Sequence, residues 1–350
     1  MLTFLIMAGG SGERFWPLST KEKPKQLLKI FSDKSLIRLA YERVLPLVDK
    51  DQIFIATNEI QVPALKEDLK ELDDSRIIIE PAFRDTAAAI AYGSTMISKY
   101  YNNPTVFVLA SDHLISDGDE FRKVIKLAEA EANNGSIVTL GIKPTYPETG
   151  YGYIEVNEAK LNTPTKSLGF REKPQYDVAK QYFESGRYLW NSGMFIFKYD
   201  TIMNALKFHS VNHYETIESI KPLFNKNEGV KTAVLVKDKF MNFEKKSIDF
   251  AVMEKANNIM VIPSDFGWND VGNFLAFEEL FKCDDNGNVI RGAKCISVDS
   301  NNNIIVSDGN YQMVSLLGVK NMIVAVTKDN ILICEKNKNQ QIKEIIKKLN

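Results

Sequence analysis

The chain opens on MLTFLIMAGGSGERFWP, residues 1–17, in which a short apolar run meets a glycine-rich turn. Residues 3–8 are almost continuously apolar, as in a strand buried on both faces of a parallel sheet. Glycines at positions 9, 10 and 12 let backbone N–H groups approach a phosphate chain closely, and Arg14 adds a bidentate donor. The stretch therefore predicts a phosphate-binding turn, with a plain turn between strand and helix as the alternative.

Two familiar phosphate-binding motifs do not fit this turn. A dinucleotide fingerprint needs different glycine spacing, and Pro17 stands where its entering helix would run. A P-loop would need a following Gly-Lys-Ser/Thr. A second cationic element, KPKQ at residues 23–26, follows shortly afterwards. Lys25 can reach the same phosphates, and a solvated charge cluster is the alternative.

The first half of the chain repeats the strand–helix pattern. Apolar β-type runs occupy residues 3–8, 52–57, 76–80, 105–110 and 136–141, and helical spacing occupies residues 35–45, 61–72, 86–100 and 121–133. Such repeats predict an α/β fold with a doubly wound, mostly parallel Rossmann-like sheet and helices on both faces. Ligands of such sheets bind at the carboxyl ends of the strands.

The alternation of strands and helices changes after about residue 144. Helical segments at residues 176–185, 200–208 and 248–257 alternate with short strands, which indicates a lobe closing over the same sheet. The turn cluster DDNGN, residues 284–288, precedes several short β runs and a last helix at 339–349. We predict a catalytic domain at residues 1–284 and a small β-rich, β-helix-like domain at residues 285–350.

Composition argues against several classes of protein. Forty-four Lys and Arg against 45 Asp and Glu leave no positive excess for duplex binding. No window approaches the roughly 18 apolar residues of a membrane span, and no basic segment precedes the first apolar run as in a signal peptide. Three cysteines are too few for a disulfide framework. We expect a cytoplasmic protein that binds neither nucleic acid nor membrane.

The opening turn, followed by PKQLL at residues 24–28, resembles the signature of sugar-nucleotide pyrophosphorylases, in particular mannose-1-phosphate guanylyltransferases. Further landmarks of that family follow in order, namely EP (80–81), ASDH (110–113), TGYGYI (149–154), FREKP (170–174), WNSGMF (190–195), IDFAVME (248–254) and GWNDVG (267–272). The resemblance implies Mg²⁺-dependent transfer of GMP from GTP to α-D-mannose 1-phosphate, with pyrophosphate leaving. Members of the family often associate, so a homodimer through the C-terminal region is a further expectation.

The resemblance also implies roles for individual residues. Arg14 and Lys25 would be catalytic, and Asp112 and Asp270 would hold Mg²⁺. The nucleotide would contact Ala8, Gly9, Gly10, Gly12, Arg14, Lys25, Glu80, Asp85, Thr86 and Asp112. The sugar phosphate would contact Gly150, Glu172, Lys173 and Asn191.

Simpler structural roles stay open for several of these side chains. Asp112 follows the strand at 105–110 and can serve as a turn residue, and Asp270 can cap a helix at 271–281. In our interpretation Glu80 accepts hydrogen bonds from guanine. The alternative is a purely structural role for this residue ahead of Pro81. Taken alone, Glu172 and Lys173 are typical of an ion pair on the protein surface.

Two departures from the family pattern and two functional alternatives complete the sequence-based interpretation. DTAA at residues 85–88 replaces the usual Asn-Thr-Ala-Pro, so that Asp85 can cap a helix or repel phosphate, and Arg171 stands where Val is common. The alternatives are a nucleotidyltransferase for another sugar 1-phosphate and nucleotide, and a non-catalytic regulatory subunit that binds the nucleotide sugar.

Overall fold

The structure, a computed structural model, describes residues 1–10, 12–225, 230–309 and 313–349. Ser11 of the glycine-rich turn lies outside these ranges. Within them, no helix is long and apolar enough to cross a membrane.

The strands are, in chain order, β1 Leu2–Met7, β2 Ile53–Thr57, β3 Ile77–Ile79, β4 Thr105–Ala110, β5 Leu114–Ile115, β6 Ile137–Ile142, β7 Tyr153–Val156, β8 Thr165–Arg171, β9 Tyr188–Lys198, β10 Ile259–Ser264, β11 Trp268–Asn269, β12 Val289–Arg291, β13 Cys295–Val298, β14 Ile304–Ser307, β15 Val314–Leu317, β16 Met322–Val326 and β17 Ile331–Glu335. The helices are α1 Leu36–Val44, α2 Val62–Asp68, α3 Asp85–Ser98, α4 Gly118–Asn133, α5 Tyr176–Ser185, α6 Tyr199–His209, α7 Val211–Ile220, α8 Val230–Phe240, α9 Ala276–Leu280 and α10 Ile342–Leu349.

Nine strands form the main sheet, in the order β3-β2-β1-β4-β9-β6-β10-β8-β7. The strands β3, β2, β1 and β4 are parallel to one another, and β6 is parallel to β10. The long strand β9 runs antiparallel to β4, β6 and β7, and β8 is antiparallel to β7 and β10. The sheet is therefore mixed α/β, and the prediction of a mostly parallel sheet is wrong because β9 inserts at its centre.

Both faces of the sheet are covered, as predicted. Leu5, Val106 and Val108 belong to one apolar cluster with α3, α6, α7 and α8. Phe4 and Phe107, which point the opposite way, belong to a second cluster with α1, α2 and α4. This division follows from the alternation of side chains along a strand.

The C-terminal region is β-rich. The strands β12, β14 and β16 pair in parallel, as do β13 and β15, and β17 closes the first group in the antiparallel direction. A third apolar cluster joins this region to the chain that follows the glycine-rich turn, with Phe15, Val271, Phe274, Ile304 and Ile342 buried together.

Two predicted helices are much shorter than expected. The one at 248–257 is a single π-helical turn, Asp249–Met253. The one at 271–281 is reduced to α9, because the side chains of Asn269, Asp270 and Asn273 each accept from the backbone N–H two residues later. Such local bonds compete with helical ones. Residues 211–220 and 230–240 form α7 and α8, which the apolar spacing did not indicate.

Close packing of α3 on β1 generates a stability prediction. A Cβ at Gly93 would lie 2.6 Å from Leu5 Cδ2, and Leu5 is fully buried. Gly93→Ala should therefore lower the free energy of unfolding in urea by about 1–3 kcal/mol, because overpacking outweighs the gain in helix propensity.

Gly118→Ala is the matched control. There the new Cβ would meet only the flexible end of Arg122, at 3.2 Å. Its unfolding free energy should stay unchanged or rise by up to about 1 kcal/mol. Equal effects of the two substitutions would contradict this account of the α3–β1 contact.

Candidate active site

The glycine-rich turn lies at the carboxyl end of β1 and is tied to the segment that carries Lys25. Gly12 has φ +62°, and a Cβ there would lie 2.5 Å from the backbone N of Lys25. Gln26 donates from Nε2 to the carbonyl oxygens of Ala8 (2.8 Å) and Gly10 (3.3 Å). The two elements that sequence analysis assigned to phosphate therefore form one unit.

Lys25 connects three distant parts of the chain. Its ammonium pairs with Asp112 Oδ2 at 2.9 Å and donates to the backbone oxygen of Asp270 at 2.7 Å. Only 6% of Lys25 is exposed. Lys25 thus links the side chain of Asp112 to the backbone of Asp270 through one buried cation.

The two acidic side chains are held in different ways. Burial opposes ionisation of Asp112, but the Lys25 ammonium lowers the pKa of this carboxyl below its usual value. Asp270 Oδ1 accepts from the Tyr151 hydroxyl at 2.7 Å and from the Gly272 N–H at 3.0 Å. Asp270 caps no helix, since α9 begins only at Ala276.

His113 sits beside Asp112 and is neutral by its surroundings. Burial lowers the pKa of its imidazole. Its Nδ1 accepts from Trp268 Nε1 at 3.1 Å, so the proton of the neutral ring is on Nε2. Nε2 lies 4.0 Å from Asp112 Oδ1. The hydrogen bond from Trp268 therefore links the loop after β4 to β11.

A central cavity of about 400 Å³ is lined by Gly12, Glu13, Arg14, Phe15, Lys25, Asp112, His113, Asp270, Gly272 and Lys343. It contains the predicted catalytic and metal-binding residues together. Among the described residues no group of three or more His, Cys, Asp and Glu could hold a metal ion. Asp112 and Asp270 nevertheless offer the hard oxygen donors that Mg²⁺ takes together with phosphate oxygens and water.

A second cavity, of about 230 Å³, lies across the glycine-rich turn and contains Gly9, Gly10, Glu80, Asp85 and Thr86 among its lining residues. Glu80 Oε1 lies 3.2 Å from the point where a Cβ of Gly9 would be, so a side chain at Gly9 would crowd the carboxylate. Burial raises the pKa of Glu80 to about 7. No described residue donates a hydrogen bond to this carboxylate, which leaves it free to accept from a ligand.

Asp85 and Thr86 are placed differently from a simple helix cap. Asp85 has φ +68°, and its Oδ1 accepts from the N–H of Thr86, its immediate neighbour, at 2.8 Å. Thr86 Oγ1 accepts from the N–H of Ile248 at 2.9 Å. The start of α3 is thereby tied to the π-helical turn, and Asp85 does not act as the N-cap that we considered.

A third cavity, of about 700 Å³, adjoins the central one and shares Arg14, Asp270 and Gly272 with it. Gly150 and Lys173, two of the residues predicted to contact the sugar phosphate, are among its lining residues. Tyr146, Glu148, Tyr151 and Glu279 also line this cavity, and sequence analysis did not select them.

Glu172 and Asn191 lie beside this cavity rather than in its lining. Glu172 pairs with Lys173 at 2.9 Å, and a Cβ at Gly152 would meet both Glu172 Oε2 (2.6 Å) and Asn191 Cβ (3.5 Å). Glu172 and Asn191 therefore flank Gly152.

Asp249 is a residue of this cluster that sequence analysis missed. Its Oδ1 accepts from Asn191 Nδ2 at 2.8 Å, while Asn191 Oδ1 accepts from the Gly193 N–H at 3.0 Å. Burial and the neighbouring Glu172 raise the pKa of Asp249 to about 6. The available signal was an acidic residue inside the apolar stretch IDFAV, at residues 248–252.

Comparison with known proteins identifies relatives along the whole chain. Residues 3–286 match the family model described as nucleotidyl transferase, and residues 293–349 match that of the MannoseP isomerase/GMP-like beta-helix domain. Mannose-1-phosphate guanylyltransferase RfbM of Salmonella typhimurium is 37% identical over 346 residues, which are 98% of this chain and 71% of that protein. A mannose-1-phosphate guanylyltransferase of Salmonella montevideo is 38% identical, with 100% of this chain and 74% of that protein covered.

A solved structure agrees with these relatives. The crystal structure described as a mannose-1-phosphate geranyltransferase from Thermus thermophilus has a TM-score of 0.89 at 32% identity, and the match covers 99% of each chain. The β-rich C-terminal part is included in that match.

Burial of Glu80 predicts a pH-dependent gain of stability on its neutralisation. The pKa of Glu80 in the folded protein, about 7, exceeds the ordinary 4.5, so folding favours the protonated form of this carboxyl. The contribution of Glu80 to the free energy of unfolding is therefore fully present below pH 4.5 and is lost as the pH rises through 7. Glu80→Gln should raise the free energy of unfolding by about 1–2 kcal/mol at pH 8 and by much less at pH 5.

Urea unfolding at both pH values, followed by tryptophan fluorescence, measures this difference. Glu67→Gln, at an exposed position on α2, is the control and should have little effect at either pH. A Glu80→Gln variant that is destabilised equally at pH 5 and pH 8 would contradict the assignment of a desolvated carboxylate.

Proposed function

Because the chain belongs to the mannose-1-phosphate guanylyltransferase family of nucleotidyl transferases, we propose that it transfers GMP from GTP to α-D-mannose 1-phosphate. The products are GDP-mannose and pyrophosphate. The observation that carries this proposal is the ammonium of Lys25 between Asp112 and Asp270, in a cavity that Arg14 also lines.

The reaction needs a nucleophile that the protein does not have to activate. A phosphate monoester has a second pKa near 6, so the phosphate of mannose 1-phosphate is mostly dianionic at neutral pH. Its oxygen attacks the α-phosphorus of GTP, and the bond from that phosphorus to the β-phosphate oxygen breaks as pyrophosphate leaves in line. No general base and no covalent enzyme intermediate are required. The chain contributes alignment and charge neutralisation.

The adjoining cavities support this arrangement. The central cavity holds the triphosphate and the third cavity holds the sugar phosphate, and both are lined by Arg14, Asp270 and Gly272. Arg14 and Lys25 stabilise the charge that develops on the leaving pyrophosphate. The glycine-rich turn contributes the backbone of Ala8, Gly9, Gly10 and Gly12 to the nucleotide.

Nucleotidyl transferases generally use a divalent metal ion. We assign the ion as Mg²⁺, with Asp112 and Asp270 as its protein ligands. Their oxygen donors suit this cation, and the depressed pKa of Asp112 keeps that ligand ionised. When bound, Mg²⁺ neutralises charge on the reacting phosphate oxygens.

Glu80 reads the base in this proposal. Guanine presents adjacent N1–H and N2–H₂ donors, and one carboxylate accepts from both. This role is supported by the position of the Glu80 carboxylate, which lies beside Gly9 and accepts from no described donor. Asp85 and Thr86 line the same cavity and complete the nucleotide site.

The mannose hydroxyls and phosphate bind at Gly150, Glu172, Lys173 and Asn191. Lys173 and Gly150 line the third cavity. The hydrogen bond from Asn191 to Asp249 supports a fixed orientation of the Asn191 amide.

The proposal extends to domains and assembly. We place the domain boundary between residues 284 and 285, in the turn where Asp284 Oδ1 accepts from Asn286 and Asn288. A homodimer through the C-terminal domain stays a prediction. Its strands β13 and β15 expose apolar side chains that association would bury, namely Ile296, Val298 and Leu317.

Substrate choice is the direct test. Pyrophosphate release should require GTP, mannose 1-phosphate and Mg²⁺, and EDTA should abolish it. UTP, dTTP, ATP and CTP, each combined with mannose or glucose 1-phosphate, are the comparisons. Preference for another pair would overturn the role of Glu80, and nucleotide binding without release in any combination would favour the regulatory subunit.

The metal assignment makes a separate prediction. Asp112→Asn and Asp270→Asn keep the shape of the side chains but remove their charge, so kcat should fall by about 100-fold or more. Asp265→Asn, exposed just before the GWND segment, is the control and should retain full activity. Near-normal turnover of either site variant, with unchanged Mg²⁺ dependence, would refute the assignment.

A further inference from the structure

The C-terminal helix α10 lies against the glycine-rich turn, although the two are at opposite ends of the chain. Ile342, at the start of α10, is 2% exposed and belongs to the same apolar cluster as Phe15. Ile346 and Leu349 line a small hollow together with Glu13 and Trp16. The apolar stripe of α10 therefore packs along the segment that carries Arg14.

The segment before α10 is held as well. Lys336, where the strand β17 gives way to a 3-10 turn, pairs with Glu278 of α9 at 2.5 Å and donates to Asn302 Oδ1 at 2.7 Å. Asn339 is 5% exposed and donates to the backbone oxygen of Lys336 at 2.7 Å. These contacts fix the approach of α10 to the active site.

This packing places two side chains at the active-site cavities. Lys343 lines the central cavity with Arg14, Lys25 and Asp112. Gln340 lines the third cavity with Gly150 and Lys173. The C-terminal domain thus completes the walls of both cavities.

The charges of the central cavity explain what Lys343 would add. Lys25 is already paired with Asp112. Among the described residues, no acidic side chain pairs with Arg14 or with Lys343. A nucleoside triphosphate and a leaving pyrophosphate carry several negative charges that the paired Lys25 offsets only in part.

We propose that Lys343 is a further phosphate-binding residue of this active site, contributed by the C-terminal domain, and that its ammonium binds the leaving pyrophosphate. The proposal rests on the guanylyltransferase function proposed above. It also gives the C-terminal domain a direct part in catalysis.

The reverse reaction tests this role, since pyrophosphate is then a substrate. With GDP-mannose, Mg²⁺ and inorganic pyrophosphate, Lys343→Ala should raise the KM for pyrophosphate about five- to tenfold while the KM for GDP-mannose stays unchanged. Lys343→Arg keeps the positive charge and should recover most of the affinity. Lys347→Ala is the matched control on the same helix, because Lys347 pairs with Glu344 at 3.0 Å and does not line the cavity.

Calorimetry with Mg²⁺ and inorganic pyrophosphate separates this inference from the proposed function. A weaker Kd for Lys343→Ala, with the Kd of Lys347→Ala unchanged, supports the role of Lys343 even if wild-type protein does not turn over GDP-mannose. Equal KM and Kd values for wild type and Lys343→Ala, in folded protein, would overturn it.

Discussion

The ion pair between Lys25 and Asp112, extended to the carbonyl oxygen of Asp270, is the contact on which the rest of the site depends. It joins the segment after the glycine-rich turn, the loop after β4 and the segment before α9, and Lys25 and Asp270 are 245 positions apart in the sequence. A buried ammonium needs such partners, because an unpaired charge away from water is very costly. The need to pair Lys25 therefore brings both candidate metal ligands into one cavity.

Apolar packing supports this polar centre from behind. Phe15, Val271 and Phe274 follow Arg14 and Asp270 in sequence, and all three are buried with the C-terminal strands. Arg14 and Asp270, to which we assign phosphate and metal binding, are thus attached to backbone that packs against the C-terminal domain. This explains why a β-rich domain with little polar chemistry of its own accompanies the catalytic sheet, and why α10 ends beside the glycine-rich turn.

The buried carboxyl groups of the site differ in the direction in which their pKa is shifted. The Lys25 ammonium lowers the pKa of Asp112 and so favours its ionised form, which suits the metal-binding role proposed for this residue. No cation among the described residues offsets the burial of Glu80, and its pKa rises to about 7. Burial and the neighbouring Glu172 raise the pKa of Asp249 to about 6, and Lys173 offsets only part of this rise. The desolvation of Glu80 and Asp249 lowers the stability of the free protein at neutral pH. A ligand that donates N–H or O–H groups to these carboxylates, as proposed for the nucleotide at Glu80, would offset this cost.

Local sequence patterns are enough to locate the strands β1 to β4, the glycine-rich turn and the position of Asp112 after β4, because apolar runs and glycine spacing are local signals of burial and backbone shape. Such patterns do not indicate the antiparallel insertion of β9, the hydrogen bond from Asn191 to Asp249 or the position of Lys343 in the lining of the central cavity. These features depend on the tertiary structure, because they join residues that are far apart in the chain. A local pattern indicates that a side chain is buried but not which residues it contacts. The short α9 has a local cause, the side-chain bonds of Asn269, Asp270 and Asn273, but periodicity alone does not detect it.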